Sequence, residues 1–532
     1  MEREPELDVI VVGAGFAGLY ALHRLRGMGL RARVLEAADG VGGTWYWNRY
    51  PGARCDVESL DYQFAFSDEL VREWRWSERY PAQEEILRYL RHVAERFDLN
   101  RDISLGTRVE AAVLDEAAST WTVTTATGEE LTARHVVMAT GCLSVPKEPE
   151  APGADTFAGE IHHTGRWPHE GVDFSGKRVA VIGTGSSGIQ CIPVIAEQAS
   201  ELVVFQRTPN FSAPAWNGPL DPDTAREVVE GFEERRRRIR ESLTSLHYPA
   251  NDKGALEVSA EERERELEAR YEAGGLNMVG VFTDVMIEPE ANEHVAEFFR
   301  RKIRERVEDP AVAEALMPRS YPWGTKRPCV DTGYYETFNR EHVTLVDLRS
   351  EPLEEIVAEG VRTRERIHPV DVIVFATGFD AMTGAVNAID IRGRDGVALR
   401  DVWADGPRTY LGIGLAGFPN LFLVTGPGSP SVFSNMVVSI EQHVDWITDA
   451  IGHLRDEGLR SMEPTAEAQD AWVAHVADIA NFTLVTKADS WYMGANVPGK
   501  PRVFMPYLGG VGPYAQRCRE IAEAGYEGFA LA

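Results

Sequence analysis

Two glycine-rich loops constrain this chain more than any other feature. The first, GAGFAG, follows the apolar run VIVV and sets Gly13, Gly15 and Gly18 at GxGxxG spacing; the second, GTGSSG, follows VAVI and sets Gly183, Gly185 and Gly188 at the same spacing. In such a loop the first glycine permits a tight turn, the second lets the backbone approach a pyrophosphate, and the third allows close helix–strand packing. The helix that opens there presents free amides and a positive dipole end to the phosphates. A chain with two such loops holds two dinucleotides and has to bring their reactive rings together. The expected fold is therefore α/β, with two Rossmann-like dinucleotide-binding domains, and a length of 532 residues agrees with two or three domains rather than one core.

The residues downstream of each loop distinguish the two ligands. Glu36 lies 18 residues after Gly18, where a carboxylate accepts hydrogen bonds from a ribose diol. Arg207 lies 19 residues after Gly188. A planar guanidinium there pairs with a ribose 2′-phosphate that a carboxylate would repel, so the second dinucleotide is read as NADPH and not NADH. Ser186 and Ser187 in the second loop, and Thr208 beside Arg207, belong to the same expected site. Residues 40–59, GVGGTWYWNRYPGARCDVES, are too rich in Gly, Trp and Tyr for a regular element and are expected to lie over a flat ligand, with Gly43, Thr44 and Trp45 against it. Asp56, within that loop, is by itself a turn aspartate able to cap a following helix. Two ATG tripeptides, at 139–141 and 376–378, each end an apolar strand and form a faint internal repeat.

Charge excludes several function classes. A formal net charge of −28 argues against a nucleic-acid partner or an anionic membrane surface. Five scattered cysteines without a CxxC pair indicate neither a disulfide framework nor a metal site, and a reducing cytoplasm is expected. The mixed-charge runs EERRRRIRE (233–241) and EERERELEAR (261–270) have the composition of solvated helices; glutamate flanks make the four arginines a solvated face rather than a nucleic-acid site.

Between the two loops, residues 157–168 read FAGEIHHTGRWP, in which Phe157, Gly159, His163, Trp167 and Pro168 form the pattern FxGxxxHxxxWP. With NRYPGARCDVES, TGSSGIQ, FQRTPNF, KRPCVDTGYYETFNR, GPGSPS and SWYMGANVPGKPR, this resembles the type I Baeyer–Villiger monooxygenases, in order and over nearly the whole chain. The resemblance implies FAD on the first loop, NADPH on the second, and oxidation of a ketone by O2 to an ester or lactone through a flavin C4a-peroxide. It implies that Arg327, which cannot lose its proton, stabilises the peroxide and the developing alkoxide. Asp56 is implied to orient that arginine, Lys326 to join Arg207 on the 2′-phosphate, and Trp491 to close on NADP from a mobile loop. Ser431, Val432, Phe433 and Met436 are implied to border an aryl-aliphatic or cyclic ketone, while His163 and its aromatic neighbours pack at an interdomain hinge without acting as a base.

The expected layout is a FAD-binding domain in two parts (1–145 and 379–532), an NADP-binding domain in two parts (146–214 and 322–378), and a helical insertion (215–321) riding on the NADP domain. A monomer is expected. Two other readings stand beside this one: N-hydroxylation or sulfoxidation with the same cofactors, and a flavoprotein without turnover. The lack of CxxC counts against a disulfide reductase.

Overall fold

The computed structural model describes residues 5–148 and 151–532. Its frame is two βαβ units built alike. Val9–Val12 are buried on both faces, as a central parallel strand requires. The strand Leu7–Val12 pairs in parallel with Ala32–Leu35 and with Glu130–Met138, and helix Phe16–Gly27 crosses between the first two. Strand Arg178–Ile182, helix Ser186–Ala196 and strand Glu201–Gln206 repeat the plan.

Close approach explains the glycines. A Cβ on Gly18 would lie 1.8 Å from the Gly13 carbonyl oxygen, and one on Gly188 would lie 2.2 Å from that of Gly183. Gly13 (φ +105°) and Gly183 (φ +113°) make the turns, and a Cβ on them would meet the carbonyl oxygens of Ala139 at 2.6 Å and Ala376 at 2.5 Å. The two ATG tripeptides thus recur because each packs its alanine carbonyl on the first glycine of its own loop.

The first sheet has eight strands and is mixed. Its order is Asp390–Arg392, Val109–Asp115, Thr120–Thr125, Glu130–Met138, Leu7–Val12, Ala32–Leu35 and Ile103–Ser104, with Leu421–Leu423 pairing with the end of Glu130–Met138. The second sheet is parallel throughout, in the order Val343–Asp347, Glu201–Gln206, Arg178–Ile182, Val372–Phe375, Glu160–His163. The chain crosses between the sheets twice, near residues 143–148 and 376–381. These crossings lie antiparallel, bridged at Pro146 and Phe379, with Lys147 N–H donating to the Gly378 carbonyl (3.0 Å) and Asp380 N–H to that of Val145 (2.8 Å).

Three expectations change. A third of the FxGxxxHxxxWP segment, Glu160–His163, is the edge strand of the second sheet rather than a hinge; Gly159 is required just before it because a Cβ would stand 2.2 Å from the Asp371 carbonyl oxygen. Phe157 is packed beside it, Trp167 is 5% exposed in the core of the second domain, and Pro168 ends the segment. Only its latter part meets the crossings: His163 Nε2 lies 3.2 Å from Thr377 Oγ1, and Gly165 packs on Phe379 and Pro146. Second, the loop 40–59 contains one helical turn, Thr44–Trp47. Third, the arginine run is only in part a solvated face: Arg237 and Arg238 are exposed, whereas Arg235 and Arg236 turn inward. In helix Phe232–Glu241, Arg236 is 3% exposed and pairs with Glu441, itself 1% exposed, at 2.8 Å; Arg235 pairs with Asp61 at 2.7 Å. Both partners belong to segments packed on the first sheet, so this part of the helical block docks there and not on the second domain. Among the described residues, no helix is long and apolar enough to cross a membrane.

Candidate active site

One cavity of about 950 Å³ is walled by both glycine loops. On the first side stand Gly13, Gly15, Glu36, Gly43, Thr44, Trp45 and Asp56; on the second stand Gly183, Gly185, Ser186, Ser187, Arg207 and Thr208. Lys326, Arg327, Trp491, Val432 and Met436 complete the wall among the expected residues. Gly18 and Gly188 lie behind it, where they close helix onto strand. Ser431 and Phe433 also lie behind it: Ser431 is fully buried with its hydroxyl 3.9 Å from Met382 Sδ, and the Phe433 ring packs on Tyr492 at 4.5 Å. None of Phe157, Gly159, His163, Trp167 and Pro168 reaches the cavity.

The wall suits two dinucleotides. Neither helix Phe16–Gly27 nor helix Ser186–Ala196 has a side-chain cap, so their first amides are left to a pyrophosphate. Gly43 (φ +54°) comes so near Gly15 that a Cβ would meet its Cα at 2.9 Å, which narrows the first cradle to backbone alone. The Glu36 carboxylate is anchored by the amides of Ala14 (2.6 Å) and Ala38 (2.8 Å), and each oxygen keeps a lone pair for a ribose hydroxyl. Burial raises its pKa, with the amide bonds opposing that shift. Across the cavity, burial and then the neighbouring Arg207 charge lower the pKa of Lys326. Two cations held close together are relieved by a dianion between them, which is what a 2′-phosphate supplies.

Arg327 sits where the helical block rejoins the second domain, just before the short strand Cys329–Asp331 that pairs with Ser212–Pro214. Its Nε and Nη2 donate to Asp56 Oδ2 (2.7 Å) and Oδ1 (2.9 Å), and its Nη1 donates to the Val432 carbonyl (2.5 Å). Burial alone would lower the guanidinium pKa; the paired Asp56 carboxylate more than offsets it and holds the pKa above the usual range. The arginine remains a fixed cation on the cavity wall.

Comparison with known proteins matches this geometry. Residues 10–270 match the family model for pyridine nucleotide-disulphide oxidoreductases. An acetone monooxygenase (methyl acetate-forming) of Gordonia sp. (strain TY-5) is 45% identical over 528 residues, 99% of each chain. A Baeyer–Villiger monooxygenase of Pseudooceanicola batsensis is 43% identical over 525 residues, 98% of this chain and 95% of the relative. This chain belongs to the Baeyer–Villiger monooxygenases. Within the same range of similarity, phenazine N-monooxygenase PhzNO1 of Lysobacter antibioticus is 44% identical over 98% of this chain and 97% of its own. A solved oxidised steroid monooxygenase bound to NADP superposes with a TM-score of 0.95 at 54% identity, covering 99% of each chain.

Several residues of this Baeyer–Villiger fold escaped the sequence reading. Asp489, just before the SWYMGANVPGK segment, and Ser490 and Asn496 within it line the cavity beside Trp491, and nothing in the sequence set them apart from their neighbours. Gln190 joins the two domains: its Oε1 accepts from Tyr50 Oη (2.8 Å) and its Nε2 donates to the Arg54 carbonyl (3.0 Å). The signal for that contact was Gly52 (φ +79°), where a Cβ would lie 2.4 Å from the Gln190 carbonyl oxygen.

Proposed function

We propose that this chain, with FAD and NADPH, oxidises an aryl-aliphatic or cyclic ketone with O2 to the corresponding ester or lactone, releasing NADP⁺ and water. The observation that carries the reading is the Arg327–Asp56 pair standing on the wall of the one cavity that both dinucleotide loops share. Bound FAD supplies hydride acceptance and oxygen activation. The protein's own part is electrostatic. Two carboxylate bonds and one carbonyl bond fix the Arg327 fork on the cavity wall, and its permanent charge stabilises the negative charge that gathers on oxygen as the ketone is attacked. Glu36 supports FAD through its ribose, and Arg207 with Lys326 supports NADPH through its 2′-phosphate. Val432 and Met436 give the ketone end an apolar lining, and Met436 adapts to ligand shape. A cytoplasmic location agrees with the five unpaired cysteines.

The 44% identity to a phenazine N-monooxygenase supports a second reading, oxidation at a heteroatom. The test is oxygen uptake and product analysis with NADPH and, in turn, phenylacetone, cyclohexanone and phenazine. Ester or lactone formed one-for-one with NADPH consumed supports ketone oxidation. N-oxide formation with no ester moves the assignment to the second reading, and hydrogen peroxide as the only product removes both.

A further inference from the structure

Asn435 is fully buried, and each of its polar atoms has a task. Its N–H donates to Ser245 Oγ (2.7 Å) in the helical block, and its carbonyl accepts the Ser439 N–H (3.2 Å). Its Oδ1 accepts the Val437 N–H (3.1 Å), capping helix Met436–Asp456, and its Nδ2 donates to the Asp61 carbonyl (2.8 Å). A cap needs an acceptor alone, which Ser, Thr or Asp would supply as well. The carboxamide adds a second arm, a donor, and that arm reaches across to the loop that carries Asp56. Reversing the amide would set its oxygen against the Asp61 carbonyl and its NH2 against the Val437 N–H, so this orientation is fixed.

That contact joins the two segments that hold Arg327. Asp56 takes the guanidinium from one segment and the Val432 carbonyl takes it from the other, so the place of the charge depends on how the two stand to each other. Both are stiff up to the join. On one side the Asp61 N–H donates to the Glu58 carbonyl (3.0 Å), and the buried Asp61 carboxylate is held by Arg235 (2.7 Å) and by His247 Nδ1 (2.5 Å). On the other, the Ser434 N–H and hydroxyl both donate to the Ser431 carbonyl, at 3.0 and 2.6 Å. Ser431 itself stands at φ +42°, a left-handed conformation that persists only when its surroundings hold it. Ser434 and Met436 line the cavity and Asn435 does not, so it acts on the cavity only through its neighbours.

We propose that Asn435 is a positioning residue for Arg327: it fixes the Asp56 loop to the Val432 segment and thereby sets where the guanidinium charge stands on the cavity wall. The proposal rests on the reading of Arg327 as the charge that stabilises the attacked ketone. Stabilisation of that kind depends on a cation already in place when the negative charge develops, so a small displacement slows oxygen transfer while ketone binding and FAD reduction change little. Reducing equivalents that miss the ketone then leave as hydrogen peroxide, with NADPH, a proton and O2 giving NADP⁺ and H2O2.

Steady-state kinetics on the FAD-loaded protein test this, with NADPH and whichever of phenylacetone and cyclohexanone the wild type converts. Asn435→Ser keeps the cap, but its hydroxyl, one bond nearer the backbone, does not reach Asp61. It is expected to lower kcat for ester or lactone about tenfold, with KM for the ketone and anaerobic FAD reduction within about twofold and hydrogen peroxide making up the NADPH consumed. Ser245→Ala, which removes the other anchor of the segment, should shift the ratio of ester to peroxide in the same direction, and it decides in place of Asn435→Ser if that variant does not fold. Thr465→Ala removes the cap of helix Ala466–Phe482, a comparable loss of stability away from the cavity, and should leave the ratio unchanged. In a crystal structure of Asn435→Ser, the Val432 carbonyl should stand beyond hydrogen-bond distance from Arg327 Nη1 while both Asp56 bonds remain. An unchanged ratio or an unmoved Arg327 overturns the proposal, and so does an equal shift in Thr465→Ala, which would make the effect one of stability. A wild type that forms no ester from either ketone overturns instead the reading of Arg327 beneath it.

Discussion

Arg327 has five N–H donors, and three of them hold the side chain rather than serve the cavity. That division predicts how its loss is felt. Arg327→Ala should leave reduction of FAD by NADPH within a few-fold of wild type while ester formation falls by about a hundredfold or more, a result stopped-flow reduction and product yield measure separately. Undiminished ester yield would end its catalytic assignment. Two histidines make a different prediction. His443 receives the Thr425 N–H on Nδ1 (3.0 Å) and faces Tyr514 Oη with Nε2 (2.8 Å); His163 receives the Gly165 N–H on Nδ1 (3.0 Å) and faces Thr377 Oγ1 with Nε2. In each ring Nδ1 is an acceptor, so only the neutral form fits, and burial lowers both pKa values from 6.5 to about 4. The unfolded chain takes up these protons first. Stability from these groups is thus complete above about pH 6.5 and is lost as pH falls toward 4, by about 3 kcal/mol for fully buried His443. Urea midpoints across that range should fall steeply in wild type and less steeply in His443→Asn, which keeps an acceptor but does not titrate; equal slopes would refute the assignment.

The glycines act through the elements they join. Gly18 and Gly188 occupy matching points where helix meets turn, with hypothetical Cβ contacts of 1.8 and 2.2 Å to backbone oxygens that cannot move aside. Gly18→Ala should therefore give protein that purifies without yellow colour, since the first helix no longer seats against its strand. Gly188→Ala should stay yellow but bind NADP⁺ at least about tenfold more weakly. Flavin content and calorimetry check the pair, and the two variants behaving alike would contradict two separately seated dinucleotides. These elements were legible because strand, loop and helix are adjacent in sequence and each glycine's task is local. The edge strand Glu160–His163 was less so. Its partner Val372–Phe375 lies some two hundred residues away, and only the packing of Gly159 on Asp371 shows why the motif needs a glycine. Asp56 and Arg327 are separated by 271 residues, so their pairing was reached through motif resemblance and not through spacing.

At the scale of the whole molecule, the helical block is a brace between two domains. One end reaches the first domain through Arg235–Asp61 and Arg236–Glu441; the other reaches the neck beside Arg327 through Arg306, which pairs with fully buried Asp331 at 2.8 Å. Composition misled here because a run of arginines and glutamates looks the same whether its partners are water or carboxylates 174 and 205 residues distant. The brace also supports the cavity wall. Ser245, in the turn after the arginine helix, accepts the Asn435 N–H at 2.7 Å, and Asn435 Nδ2 donates to the Asp61 carbonyl at 2.8 Å, just beyond the segment whose Val432 carbonyl holds Arg327. Removing Arg236 leaves the buried Glu441 carboxylate with Arg240 and the Ala65 amide, both at the edge of the site. Arg236→Met should accordingly cost about 3–5 kcal/mol, the range for breaking one side of a buried ion pair. Adding Glu441→Gln removes the stranded charge, so the double variant should be less destabilised than the sum of the single changes, as read from urea midpoints. Strict additivity would mean that the two side chains do not hold the block to the first domain, and the brace would have to depend on Arg235 and Asp61 instead.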